Sequence, residues 1–158
     1  MCIRDSFPVL SMLGMLLMMM AGAMAAPLAV SLHLGDRMAD SYIAGMVLTA
    51  VAGGMLWLGL RRHGTEMQPR HGLLLVTLAW VVMPLFAAIP LLLAFHEMGR
   101  PLSFVHAYFE TVSGLTTSGG TVISGLDSLP VSVNFWRTFL PVSYTHLGAH
   151  ETGRNLVC

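Results

Sequence analysis

The sequence predicts an all-α membrane protein with about three transmembrane helices plus a re-entrant pore helix and filter loop. Three observations carry that reading. The 158 residues are 55% hydrophobic and only 10% charged, whereas soluble domains carry about 25% charged residues. Apolar segments recur at the length that crosses a bilayer: about 20 helical residues at roughly 1.5 Å each traverse a hydrocarbon core of about 30 Å. After the third such segment, Tyr108–Pro130 reads YFETVSGLTTSGGTVISGLDSLP. That stretch is too polar and too rich in glycine to be another span.

Phe7–Leu34 contains no formal charge. Phe7–Ala26 is long enough to cross, with Pro27 as an end or a kink. A signal peptide is the rival reading, with Arg4, an apolar core and small-residue patterns at Ala21-Gly22-Ala23 and Ala23-Met24-Ala25. A span is preferred because the apolar region continues past those sites, and both readings put the next loop outside. Leu34–Asp40 is a polar turn, and Ser41–Leu60 is the second span. Its Gly45, Gly53 and Gly54 either permit close helix contact or simply reflect the abundance of glycine in membrane helices. Arg61–His71 holds Arg61, Arg62 and Arg70 against Glu66, which places it in the cytoplasm by the positive-inside rule. Gly72–Phe95 is the third span, uncharged and containing Trp80, Pro84 and Pro90. It emerges outside at His96–Ser103.

The polar stretch therefore begins outside. Ser103 is the expected N-cap, and Phe104–Leu115 forms about three turns, roughly 18 Å, enough to reach mid-membrane but not to cross. Thr116–Thr121 follows, and the chain returns through Val122–Pro130. Irregular backbone at membrane depth is tolerated only where it is buried in protein or lines a watery cavity. The short helix points the negative end of its dipole inward, which favours a cation. Backbone carbonyls can replace a cation's hydration shell when several loops ring an axis. Glycine permits the required dihedrals, and threonine and serine hydroxyls add oxygens or pin the loop. No charged side chain lies between Glu110 and Asp127, so selectivity would come from carbonyls.

Composition excludes other classes. The net charge is zero, and the arginines never form a basic patch, so nothing points to nucleic acid. Cys2 and Cys158 sit at the extreme ends and offer neither a disulfide framework nor a zinc spacing. His146, His150 and Glu151 could share a helix face, but zinc needs further ligands that are not on offer. His96 and His106 read as solvated, and the Met15–Met20 run as packing or lipid-facing methionine. Glu110 reads as a structural tie for the loop in preference to a cation attractor, because buried carboxylates have partners. Asp127 reads as capping a turn with Ser128. Arg137 reads as an interfacial anchor that snorkels.

The segment FETVSGLTTSGGTVISGLDSLP resembles the first pore loop of the Trk-type potassium transporters, the TrkH/TrkG membrane subunits of the Trk/Ktr/HKT superfamily. HGLLLVTLAWVVMPLFAAIPLLL resembles that family's first M1 helix, and NFWRTFL the start of M2. The resemblance covers Ser41–Leu140 closely and Phe7–Asp40 by pattern. It implies four M1–pore–M2 repeats around a potassium filter, to which this chain contributes Thr116, Thr117, Ser118, Gly119 and Gly120. Gly119 falls on the filter glycine, and Ser118 stands where threonine is frequent. Potassium is the implied substrate and is held only at those residues, with no covalently bound cofactor. The implied setting is the inner (cytoplasmic) membrane, multi-pass. A homodimer and a cytosolic nucleotide-binding regulatory subunit are the implied partners.

This reading divides the chain into a non-native leader at 1–6, two N-terminal helices over 7–60, a first repeat over 72–140 with a truncated fourth span, and a non-native tail at 141–158. Two alternatives are kept. An intramembrane serine protease would use Ser118, but it needs a histidine on a neighbouring span, and neither Ser41–Leu60 nor Gly72–Phe95 contains one. A small membrane anchor or assembly subunit would leave the glycine/threonine loop unexplained. The expected activity is therefore transport and not enzymatic.

Overall fold

The computed structural model describes residues 7–60 and 69–140, all helix and connecting loop with no strand among them. The expectations for Met1–Ser6, for the basic loop and for Pro141–Cys158, including His146 and His150, fall outside the described side chains. Helix α1 covers Phe7–Ala23, α2 Ala25–Leu34, α3 Ala39–Leu60, α4 Pro69–Glu97 and α5 Phe104–Leu115. A single 3-10 turn at Leu126–Ser128 precedes α6, residues 131–140.

The first span is longer than expected and bent. The helical pattern breaks at Met24, next to the Ala23 carbonyl four residues before Pro27, the carbonyl that a proline ring crowds. Bonds from Met24 N–H to Met20 O (3.1 Å) and from Leu28 N–H to Met24 O (3.3 Å) carry the helix across. Pro27 therefore kinks the span without ending it, and Phe7–Leu34 forms one apolar run of 28 residues. The end comes at Gly35, whose φ of 65° lets its N–H return to Ser31 O at 2.8 Å. Ala39–Leu60 and Gly72–Glu97 are the other two helices long and apolar enough to cross a membrane.

Small residues set how closely these helices approach. A Cβ built on Gly14 would lie 2.7 Å from the Gly53 carbonyl oxygen, and one on Gly53 would lie 2.8 Å from that of Gly14. The α1 and α3 backbones thus touch directly, as glycine permits in membranes. Gly45 of α3 similarly admits the ring of Pro90, 3.0 Å from its would-be Cβ. Gly54 makes only an ordinary contact with Met18 and Gly59 none within 4 Å, so two of the four glycines in this span serve close packing.

Helix α4 keeps both internal prolines. Three of its carbonyls, at Val81, Pro84 and Ala87, accept bonds from Tyr108 Oη (3.2 Å), Thr111 Oγ1 (2.9 Å) and Trp136 Nε1 (3.1 Å). The three sites are three residues apart and so lie along one face. Side chains of α5 and α6 thus tie both elements to one face of α4. Trp136 is fully buried and centres a core with Met24, Tyr42, Leu91, Ala107 and Val133.

The loops meet at one end. Asp36 accepts bonds from the Ser31 hydroxyl, the Met38 N–H (3.2 Å) and, across the fold, the Ser132 N–H (3.1 Å). Arg100 Nη1 donates to Ser128 Oγ at 3.2 Å. The expected outer loops are therefore neighbours, as an alternating topology requires.

Two outcomes follow. Gly53→Leu must force α1 and α3 apart and should destabilise the chain in detergent by about 1–3 kcal/mol, the usual range for overpacking. Gly22→Ala, at a glycine whose Cβ would meet nothing within 4 Å, should not; equal thermal shifts for both would refute the contact. Burial raises the Asp36 pKa, but hydrogen bonds from Ser132, Ser31 and Met38 outweigh it, leaving the carboxyl below its ordinary 3.8. A depressed carboxyl stabilises the fold above its unfolded value and ceases to do so as pH falls through its folded value. Protection of the Ser132 amide, measured against its intrinsic exchange rate, should therefore persist at every pH above about 4 and fall as the carboxyl is protonated.

Candidate functional site

Helix α5 is 12 residues long, Phe104–Leu115, and so cannot cross a bilayer. Ser103 occupies the N-cap position in extended geometry, but its side chain makes no capping bond; its carbonyl accepts from Ala107 N–H at 3.0 Å. At the other end the chain turns sharply. Thr116 N–H bonds Val112 O (2.9 Å), Thr117 N–H bonds Gly114 O (3.1 Å), and Ser118 N–H bonds Ser113 O (3.1 Å). Thr117 sits at φ 57° and Gly119 at φ 71°. A β-branched residue at positive φ is rare, and such backbone costs about 1–3 kcal/mol and concentrates at functional sites.

Thr116, Thr117, Ser118, Gly119 and Gly120 are all exposed at the carboxyl end of α5. Hydroxyls pin this strand from behind: Ser113 Oγ donates to Gly120 O (2.7 Å), and Thr116 Oγ1 to Val112 O (2.8 Å). Ser118 Oγ bonds Ser113 Oγ at 3.0 Å, Thr116 Oγ1 at 3.3 Å and the Ser113 carbonyl at 3.4 Å, so its partners among the described residues are hydroxyls and a carbonyl and not an imidazole. A Cβ on Gly120 would make only ordinary contacts, 3.4 Å from the Phe109 ring and 3.5 Å from Ser113 Oγ. Among the described residues, the carbonyls of Thr116, Thr117, Ser118 and Gly119 accept no hydrogen bond, whereas that of Gly120 is engaged by Ser113. Four successive oxygens are thus left available on an exposed turn at a helix's negative end.

The return strand is held by one carboxylate. Glu110 Oε1 accepts from Thr121 Oγ1 (2.6 Å), Val122 N–H (2.7 Å) and Ile123 N–H (3.2 Å). Its Oε2 accepts from Arg137 Nε (3.0 Å) and Nη2 (2.8 Å), and Nη2 also reaches Thr121 Oγ1 at 2.8 Å. The side chains of Arg137 and Glu110 are 15% and 3% exposed, so this is a two-pronged, largely buried ion pair. Glu110 ties the loop down as expected. Arg137 does not snorkel: it turns inward to the carboxylate. In apolar surroundings an acid and a base each lack any cheaper partner, so they pair. The signal was present in the sequence, since Glu110 and Arg137 are the acid and base of the two helices that flank the loop. At the outer turn Ser128, not Asp127, makes the cap, donating to Gly125 O at 2.7 Å.

Removing one partner should be costly. Glu110→Ala leaves a buried guanidinium and three donors unsatisfied, a change of the kind that costs about 3–5 kcal/mol. Arg137→Lys keeps the charge but loses the paired geometry, and should also destabilise. Denaturant titration in micelles checks both; wild-type midpoints would remove the clamp from consideration.

A family model described as TrkH, cation transport protein, matches residues 39–152. The Trk system potassium uptake protein TrkH of Halomonas elongata is 37% identical over 129 residues, 82% of this chain and 26% of that protein. Its counterpart in Escherichia coli K12 is 35% identical over 127 residues, 80% of this chain and 26% of that protein. The crystal structure of the potassium transporter TrkH from Vibrio parahaemolyticus superposes with a TM-score of 0.78 at 35% identity, covering 89% of this chain and 29% of that one. The chain thus spans about a quarter of the length of the curated relatives it matches. With a family match over most of its residues and a shared helical arrangement around the turned loop, the chain belongs to the TrkH family of cation transport proteins.

Proposed function

We propose that this chain contributes to potassium uptake across the inner membrane as the first M1–pore–M2 repeat of a Trk-type subunit, preceded by two further spans. Helix α4 is the M1 element, α5 with Thr116–Gly120 the pore loop, and α6 the start of M2. The observation that carries this reading is the run of unengaged carbonyls from Thr116 to Gly119 at the end of a helix too short to cross. A cation arriving there meets oxygens that accept no hydrogen bond among the described residues and whose loop is braced by Glu110, Arg137 and Ser113. Such oxygens substitute for hydration water without having to break an existing bond first.

One loop contributes one quarter of a four-loop ring, so three equivalent loops complete the filter. The reading includes a homodimer and a cytosolic nucleotide-binding regulatory subunit, the assembly that the family resemblance implies. The relatives' names, potassium uptake proteins, support the choice of ion. Catalysis at Ser118 is disfavoured by its hydroxyl partners, and a passive anchor would have no use for a strained, braced turn.

A chimaera tests the reading. Residues 7–140 replace the matching segment of a full-length relative in cells that lack potassium uptake. Growth at low potassium should be restored, and Gly119→Val should abolish it, because valine is disfavoured at φ 71°. Rescue that survives Gly119→Val would defeat the filter assignment. The isolated chain in liposomes should carry no potassium-selective flux.

A further inference from the structure

We propose that Asp36, in the loop between the two leading helices, is a positioning residue for the filter strand. The route is continuous in the structure. Asp36 Oδ2 accepts the Ser132 N–H at 3.1 Å. Ser132 lies in the first turn of α6, whose N–H groups have no partner within the helix. A carboxylate there satisfies one of them and complements the helix dipole. The α2–α3 loop therefore caps a helix 96 residues further along the chain.

Arg137 follows five positions later on the same helix, just over one turn on. It clamps Glu110, and Glu110 holds the Val122 and Ile123 amides directly behind the filter turn. The axial position of α6 decides whether the guanidinium reaches the carboxylate. Between these two polar ties α6 is keyed to α4 by Trp136, and at its far end Leu140 lies over Gly114, 3.1 Å from a Cβ built there. Asp36 is the tie at the outer end, before any of those contacts begin.

The loop is itself built to present this carboxylate. The Ser31 hydroxyl and the Met38 N–H hold Oδ1 and leave Oδ2 for Ser132. Gly35 and Arg37 take positive φ, 65° and 62°, on either side of it. With an O–H and an N–H donor on Oδ1 and an N–H donor on Oδ2, the carboxylate is an anchor for a helix end and not a cation ligand. The two leading helices thereby acquire a role in the pore: they supply the outer stop against which α6 is set. This rests on the potassium reading only for its consequence, because the positional claim concerns protection of two amides.

Hydrogen exchange on the full chain in detergent micelles tests it. Asp36→Ala should speed exchange of the Val122 and Ile123 amides by about tenfold or more while the α1–α3 amides stay protected. Glu110→Gln should do the same. The double variant should exchange no faster than Glu110→Gln alone, since both act through one connection. Arg37→Ala, in the same loop but making no bond to Ser132, should leave both amides unchanged. If Asp36→Ala unfolds the chain, Asp36→Asn preserves the shape and should give an intermediate rate. Faster exchange at Ser132 with unchanged protection at Val122 and Ile123, or additive effects in the double variant, would overturn the proposal. Neither outcome touches the potassium assignment, which the chimaera tests by growth.

Discussion

The pairing of Glu110 with Arg137 is the constraint around which the loop region is organised. A carboxylate in apolar surroundings must be neutralised or paired, since an isolated buried charge is prohibitively costly. Here one oxygen takes the arginine and the other takes two backbone amides and a threonine hydroxyl. The same group therefore joins α5 to α6 and fixes the return strand. Without it the strand after Gly120 would have unsatisfied N–H groups at membrane depth, where water is scarce.

Around that clamp, polar groups are spent on holding backbone in place. Tyr108, Thr111 and Trp136 bond the proline-interrupted face of α4; Ser113 and Thr116 secure the turn; Asp36 caps α6. What remains unspent is informative. The carbonyls of Thr116 to Gly119 have no donor among the described residues. These oxygens lie on an exposed turn that holds two positive φ values, at Thr117 and Gly119, and at the negative end of α5.

Much of this was legible beforehand because bilayer thickness converts directly into helix length. The α5 limits and the glycine turn followed from polarity and spacing, and Ser103 did take the N-cap position, though without its side-chain bond. Of the two outcomes open at Pro27, an end or a kink, the span continues, because the bonds at Met24 and Leu28 bridge the gap. Two readings went astray for identifiable reasons. The inward turn of Arg137 depended on a partner 27 residues away. The outer turn was capped by Ser128, whose hydroxyl happens to lie beneath Gly125 O.

The sequence by itself determined the class of protein, the number of long apolar helices and the location of the glycine-rich turned loop. Those properties depend on local composition measured against a solvent of fixed thickness. Only the tertiary structure decided which polar groups meet: Glu110 with Arg137, Asp36 with Ser132, Trp136 with Ala87. Each pair joins different helices, and its geometry is set by how closely they approach, through contacts such as Gly14 on Gly53 and Gly45 on Pro90. Periodicity cannot report that distance. It emerges when the helices pack.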